Sequence, residues 1–164
     1  MSIKKKTIIA VLCVLLCAVM VVVYFTAIRP TFKPALTHTI VIDAGHGGKD
    51  GGAVGRTTGI TESELNLQYS LTLKSICEQY GFNVVLTRSD MNGLYSPFAS
   101  NKKRSEMEKR KEIIDKTNPD LVISIHMNSF TSSSAKGVQV FYADGCESGQ
   151  ALAESVQTSL YKTT

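Results

Sequence analysis

Between Thr7 and Ile28 the chain carries no charged residue, no histidine, no proline and no glycine, and Val, Leu, Ile, Ala and Cys dominate the run. As a helix rising about 1.5 Å per residue, such a run reaches across a hydrocarbon core of roughly 30 Å. The 164 residues therefore divide into parts with different solvents. Lys4, Lys5 and Lys6 precede the run and, by the positive-inside rule, hold the N-terminus in the cytoplasm. The expected organisation is a basic tail over 1–6, a transmembrane anchor over 7–28, a linker over 29–37 bracketed by Pro30 and Pro34, and a domain over 38–164 on the extracytoplasmic side. Secretion after signal cleavage is the alternative. Bulky Phe25, two residues before Ala27, fits a small-residue cleavage site poorly and favours the anchor. Leu12 and Leu16 before Cys13 and Cys17 argue against a lipoprotein site.

The formal charge of +4 includes the three cytoplasmic lysines. The exported part is only mildly basic, and nucleic acid is not an expected partner. Cys77 and Cys146 lie too far apart, in unrelated contexts, to form a disulfide framework; Cys77 is expected to be buried and Cys146 partly exposed.

Four apolar β-prone runs follow the linker: Thr39 to Asp43, Asn83 to Thr87, Leu121 to Ile125 and Val138 to Tyr142. Helical patterns separate them. Thr61-Glu62-Ser63-Glu64 has the form of a capping box, and apolar residues recur at Leu65, Tyr69, Leu73, Ile76 and Tyr80 until Gly81. A second helix is predicted from about Asn101 to Lys116, ended by Asn118-Pro119, and a third from Gly149 onward. Thr131 to Ala135 reads as a polar, Ser-rich loop. The predicted fold class is α/β, a single open mixed sheet with helices on both faces, preceded by one transmembrane helix.

Two histidines stand at strand ends. His46 follows the first run within Asp43-Ala44-Gly45-His46-Gly47-Gly48, where glycines allow a sharp turn. His126 follows Leu121 to Ile125. Strand ends line the ligand crevice of open α/β sheets, so the two can converge. A zinc site needs about three protein ligands, and two histidines with a glutamate are an established set. Glu62, at the first turn of the helix after the His46 loop, is a candidate carboxylate. Glu64 competes with it, and a plain helix-start carboxylate remains the bland reading. The glycine cluster does not make a phosphate loop, because Asp50 follows Lys49 where a hydroxyl is required. His38 reads as a surface residue. The helix holding Arg104 and Arg110 reads as a solvated face, with Arg110 also within reach of orienting the site. Asn128 is assigned either to substrate contact or to a turn.

Three segments in this order, Ile42 to Ala53, Glu62 to Leu67 and Ser124 to Ser129, resemble the successive signatures of the type 3 N-acetylmuramoyl-L-alanine amidases. The short anchored build is similar to that family's CwlD-type branch in spore formers. The resemblance implies that His46, Glu62 and His126 bind Zn2+. It implies a peptidoglycan substrate, cut at the amide between the lactyl group of N-acetylmuramic acid and L-alanine, with protein partners unknown. It also implies a general-base glutamate in a later strand followed by Gly-Phe, which this sequence does not contain. The catalytic base is accordingly expected beyond Thr164, the domain being incomplete at its C-terminal side. A zinc- and peptidoglycan-binding pseudo-enzyme is the alternative reading.

Overall fold

The computed structural model describes residues 3–27, 38–130 and 137–162. The expected linker over 29–37 and the Ser-rich loop over 131–135 lie outside them. Helix α1, Ile3–Ala27, covers 25 residues, about 38 Å at the helical rise, and its apolar side chains are exposed. It is long and apolar enough to cross a membrane.

The domain runs β1 (Thr39–Ala44), α2 (Glu62–Gln79), β2 (Asn83–Leu86), α3 (Lys102–Thr117), β3 (Leu121–Ile125) and α4 (Glu147–Tyr161). The strand order is β2-β1-β3. The α/β architecture is the expected one. The sheet expected to be mixed is parallel in both pairings among the described strands, with Ile42 level with Leu86 on one side and Ile123 on the other. This parallel pattern follows from the helices between successive strands, since a parallel return needs a crossover.

Alternation along β1 sorts its two faces. Ile40, Ile42 and Ala44 point one way, and Ile40 and Ile42 join Val84, Leu73, Cys77, Leu86, Ile123 and Ile125 in the core beneath α2. Val41 and Asp43 point the other way, where Arg110 of α3 pairs with Asp43. The helices therefore lie on opposite faces. Strand order reverses at β1, so the carboxyl ends of β1 and β3 open onto the kind of crevice where α/β folds hold ligands.

Local chemistry sets the helix ends. Thr61 is extended at ψ 150° and its hydroxyl accepts from the Glu64 N–H at 3.4 Å; Asn101 caps α3 by accepting from the Arg104 N–H at 2.9 Å. Asn118 ends α3 in the left-handed conformation at φ 45°, with its N–H donating to the Ile114 carbonyl at 3.0 Å. Pro119 then cannot continue the helix.

Two sequence expectations are corrected. Val138 to Tyr142 is not a strand: Gln157 of α4 takes its backbone groups, accepting from the Val140 N–H at 2.8 Å and donating to the Val138 carbonyl at 2.8 Å. A single amide side chain thus stands where a neighbouring strand's ladder is required. Cys77 is half-buried rather than buried, its thiol pushed up by burial, and Cys146 is exposed.

Ile42 is fully buried while Val122 is 41% exposed, so the two positions respond differently to truncation. Ile42→Ala is expected to cost about 2–5 kcal/mol and Val122→Ala under about 1 kcal/mol, measured by urea unfolding of the chain in detergent. Equal costs would contradict this difference in burial.

Candidate metal centre

The loop after β1 carries one candidate ligand. Gly45 continues β1 by donating its N–H to the Ile125 carbonyl at 3.0 Å, and a tight turn closes where Gly47 and Asp50 exchange backbone bonds at 2.9 and 3.1 Å. Between them His46 takes φ 60°, a left-handed value uncommon for a residue with a side chain. The chain then returns to α2, whose Glu62 N–H donates to the Ala53 carbonyl at 2.7 Å.

This route brings three side chains together. His46 Nε2 lies 3.2 Å and His126 Nδ1 3.1 Å from the same Glu62 oxygen, Oε1, and the imidazole rings meet edge to face with centroids 4.9 Å apart. The donor atoms all fall within 4.8 Å of one another, a group able to hold a metal ion. Glu62 is 6% exposed and is gripped from several sides. The Ala53 N–H donates to its Oε2 at 2.9 Å and the Met127 N–H to its Oε1 at 2.9 Å. Burial pushes its carboxyl up, but these backbone donors, with His126 and His46, bring it below the usual carboxylate value. It is held as an anion. Glu64 serves the cap through its backbone N–H, and Glu62 alone joins the histidines.

Two glycines make this convergence possible. A Cβ on Gly45 would stand 2.3 Å from the His126 ring, and one on Gly52, at φ 67°, would stand 2.7 Å from Glu62 Oε2. Both positions require the bare backbone.

Around the cluster sit residues that sequence reasoning left without a role. Asp50 Oδ1 lies 3.0 Å from His46 Nδ1, while its other oxygen accepts from Lys103 at 2.7 Å. The lysine, opposed by burial and aided by His46 and the Gly52 N–H, holds the Asp50 carboxyl down at about 2. The expectation of a solvated face on α3 holds for Arg104, which pairs with Glu108 in water. It fails for Arg110, which is 5% exposed. Its guanidinium pairs with Asp43 and Glu106 and donates to the Ala44 and His46 carbonyls at 2.8 and 2.7 Å. Arg88, 4% exposed, donates to the Ala44, Gly45, Ser63 and Asp90 carbonyls at 2.7–3.0 Å. Buried Asn66 donates to the Gly45 carbonyl at 3.1 Å. An acid at the end of an apolar strand, Asp43, was the one available signal that a buried cation had to exist.

The remaining candidates lie outside the cluster. His38 is at the surface, 3.4 Å from Asp120. Asn128 is exposed two residues beyond His126. Asp144, Glu147 and Glu154 are exposed near or on α4, where Glu154 accepts from Gln150 at 2.8 Å.

Residues 40–164 match the sequence profile of the Amidase_3 family, described as N-acetylmuramoyl-L-alanine amidase. The chain belongs to the N-acetylmuramoyl-L-alanine amidase family. Among its relatives is the germination-specific N-acetylmuramoyl-L-alanine amidase of Bacillus subtilis, 29% identical over 135 residues that cover 80% of this chain and 56% of that protein. Escherichia coli AmiA is 34% identical over 70% of this chain and 36% of its own length. The CwlD amidase of Clostridioides difficile, solved in complex with the GerS lipoprotein, superposes with a TM-score of 0.73 at 35% identity, over 76% of this chain and 66% of that one. The chain thus spans about half the length of the Bacillus subtilis amidase.

The ion pair behind this amidase-family site predicts a pH dependence. Burial pushes the Asp43 carboxyl up, but the Thr87 hydroxyl, the charge and hydrogen bond of Arg110, and Ser124 together hold it below its ordinary 3.8. A carboxyl depressed in the folded chain stabilises the fold above its unfolded value and loses that contribution as pH falls through the folded value. Stability is therefore expected to decline below about pH 4. Asp43→Ala should cost about 3–5 kcal/mol at neutral pH and should flatten that acid limb, read from unfolding curves between pH 3 and 7. An unchanged acid limb in the variant would count against the pair.

Proposed function

We propose that this chain is a membrane-anchored, zinc-dependent N-acetylmuramoyl-L-alanine amidase. Its substrate in this reading is the amide between the lactyl group of N-acetylmuramic acid and L-alanine in peptidoglycan. The observation that carries the reading is the convergence of His46, Glu62 and His126 at the carboxyl ends of β1 and β3. Membership of the family supports the reaction class. The lysines at the start of α1 support an extracytoplasmic domain, on the side where peptidoglycan lies.

The residues fit zinc. One carboxylate and two imidazoles form a donor set that zinc accepts while leaving a position for water, and His46 has a carboxylate, Asp50, at its remaining nitrogen, the usual support for a metal-binding imidazole. When bound, zinc supplies Lewis-acid activation of water and of a scissile carbonyl near neutral pH. The chain's own groups do the rest of what is visible. The Ala53 and Met127 N–H groups fix Glu62 as an anion, and Gly45 leaves room for the His126 ring. His126, with a side chain 44% exposed, marks the open side from which substrate approaches. Asn128, exposed on that same segment, is placed to meet the glycan or peptide. Proton delivery to the leaving amine requires a general acid-base group.

Purified chain in detergent is expected to hold one zinc per molecule by metal analysis, and His46→Ala or Glu62→Ala to lose it. Digestion of purified peptidoglycan should release new N-terminal alanine in a chelator-sensitive manner. A wild-type chain without zinc would sink the proposal; zinc without alanine release would favour a binding role over cleavage.

A further inference from the structure

We infer that Arg88 is a positioning residue that sets the separation of His46 from Glu62 before any metal arrives. This rests on the proposed metal site but concerns a different question, how the ligands come to be aimed. Arg88 lies two residues past the end of β2, and its hydrogen bonds go to backbone carbonyls rather than to the three ligands' side chains. One of its nitrogens, Nη2, donates to two carbonyls, Gly45 at 3.0 Å and Ser63 at 2.7 Å. Gly45 is the residue before His46, and Ser63 is the residue after Glu62. A single guanidinium therefore ties the ligand-bearing loop to the ligand-bearing helix, one residue from each ligand.

The rest of the fork locks that nitrogen in place. Nε donates to the Ala44 carbonyl at 3.0 Å and Nη1 to the Asp90 carbonyl at 2.8 Å, so rotation about the guanidinium breaks two further bonds. Each charge-assisted bond of this kind is stronger than a neutral one, and leaving buried carbonyls without donors is costly. Burial depresses the Arg88 pKa, yet an arginine keeps its charge at any pH where the fold exists. Arg110 clamps the same loop from the α3 side, through Ala44 and His46, but reaches no group of α2. Among the described residues, only Arg88 joins backbone carbonyls of loop and helix through a guanidinium group. Asn66 adds a neutral link, through the Gly45 carbonyl and a 3.5 Å approach to Glu62 Oε1.

Lysine is the informative substitution, because it keeps the charge but cannot hold several diverging carbonyls at once. For Arg88→Lys in the full chain, zinc affinity measured by competition with a chromophoric chelator is expected to fall about 10–100-fold, the usual loss when a group supporting a ligand is removed. Val84→Ala is the control, since Val84 is a buried core residue of β2 remote from the carbonyls. It is expected to lower the melting temperature while leaving zinc affinity unchanged. Zinc binding by Arg88→Lys equal to wild type overturns the inference, as does an equal loss of affinity in Val84→Ala. Should the lysine variant not fold, wild-type zinc-free protein labelled with 15N-arginine decides. Buried, clamped guanidinium groups give separate, slowly exchanging Nη signals from both Arg88 and Arg110, and averaging of the Arg88 set overturns the proposal. A wild-type chain that binds no zinc defeats the proposed function, and these arginine signals still report on the clamp.

Discussion

Where β1 ends, the carbonyls of Ala44, Gly45 and His46 leave the sheet and must be met by donors from elsewhere. Buried carbonyls are rarely left unpaired, and here two arginines and an asparagine meet them. The left-handed turn at His46 and the closeness of Glu62 all depend on this. Without the guanidinium groups, the glycines around His46 have wide conformational freedom and the carbonyls of Ala44 and His46 lose the side-chain donors that meet them. The aim of the candidate ligands is thus an electrostatic property of the backbone as much as a packing property of side chains.

The buried ions are mutually dependent. Arg110 pairs with Asp43 and Glu106, and Asp43 also accepts from Thr87 at 2.7 Å and Ser124 at 2.9 Å. Residues of β1, β3 and α3, with Thr87 just past β2, therefore meet on one carboxylate. Burial of such charges is tolerated only where each finds partners. In this domain the partners belong to the segments that carry or flank the candidate ligands, so the ionic layer and the metal centre share their supports.

Much of the fold was legible from residue order. Thr39 to Asp43, Asn83 to Thr87 and Leu121 to Ile125 form strands because short β-branched runs bounded by turn residues have few alternatives, and Thr61, Gly81 and Asn118-Pro119 mark helix ends by local chemistry. His46 and His126 could be picked out for the same reason, standing at strand ends beside small or polar residues. Glu62 was legible only through resemblance, since a helix-start carboxylate is common and Glu64 fits the capping pattern equally well. Arg88 could not be read at all, and Arg110 only as an alternative to a solvated face. The carbonyls around His46 that they meet lie 43 to 66 residues away, and an arginine such as Arg110 in a lysine- and glutamate-rich helix looks like any solvated cation. Val138 to Tyr142 misled for the opposite reason: its composition suits a strand, but a strand also needs a neighbour, which composition does not encode.

The parallel sheet carries a consequence for the order in which this site can come into being. His46 and Glu62 belong to the first crossover, β1 to α2, and can be brought together by local folding and the arrival of Arg88. His126 is 64 residues beyond Glu62 and joins only when β3 docks along β1, a pairing of high sequence separation that forms slowly. A domain synthesised from its N-terminal side presents two of the three ligands well before the third. The centre is therefore a late product of folding, and until β3 docks the emerging domain holds a half-built site with correspondingly weak hold on any metal.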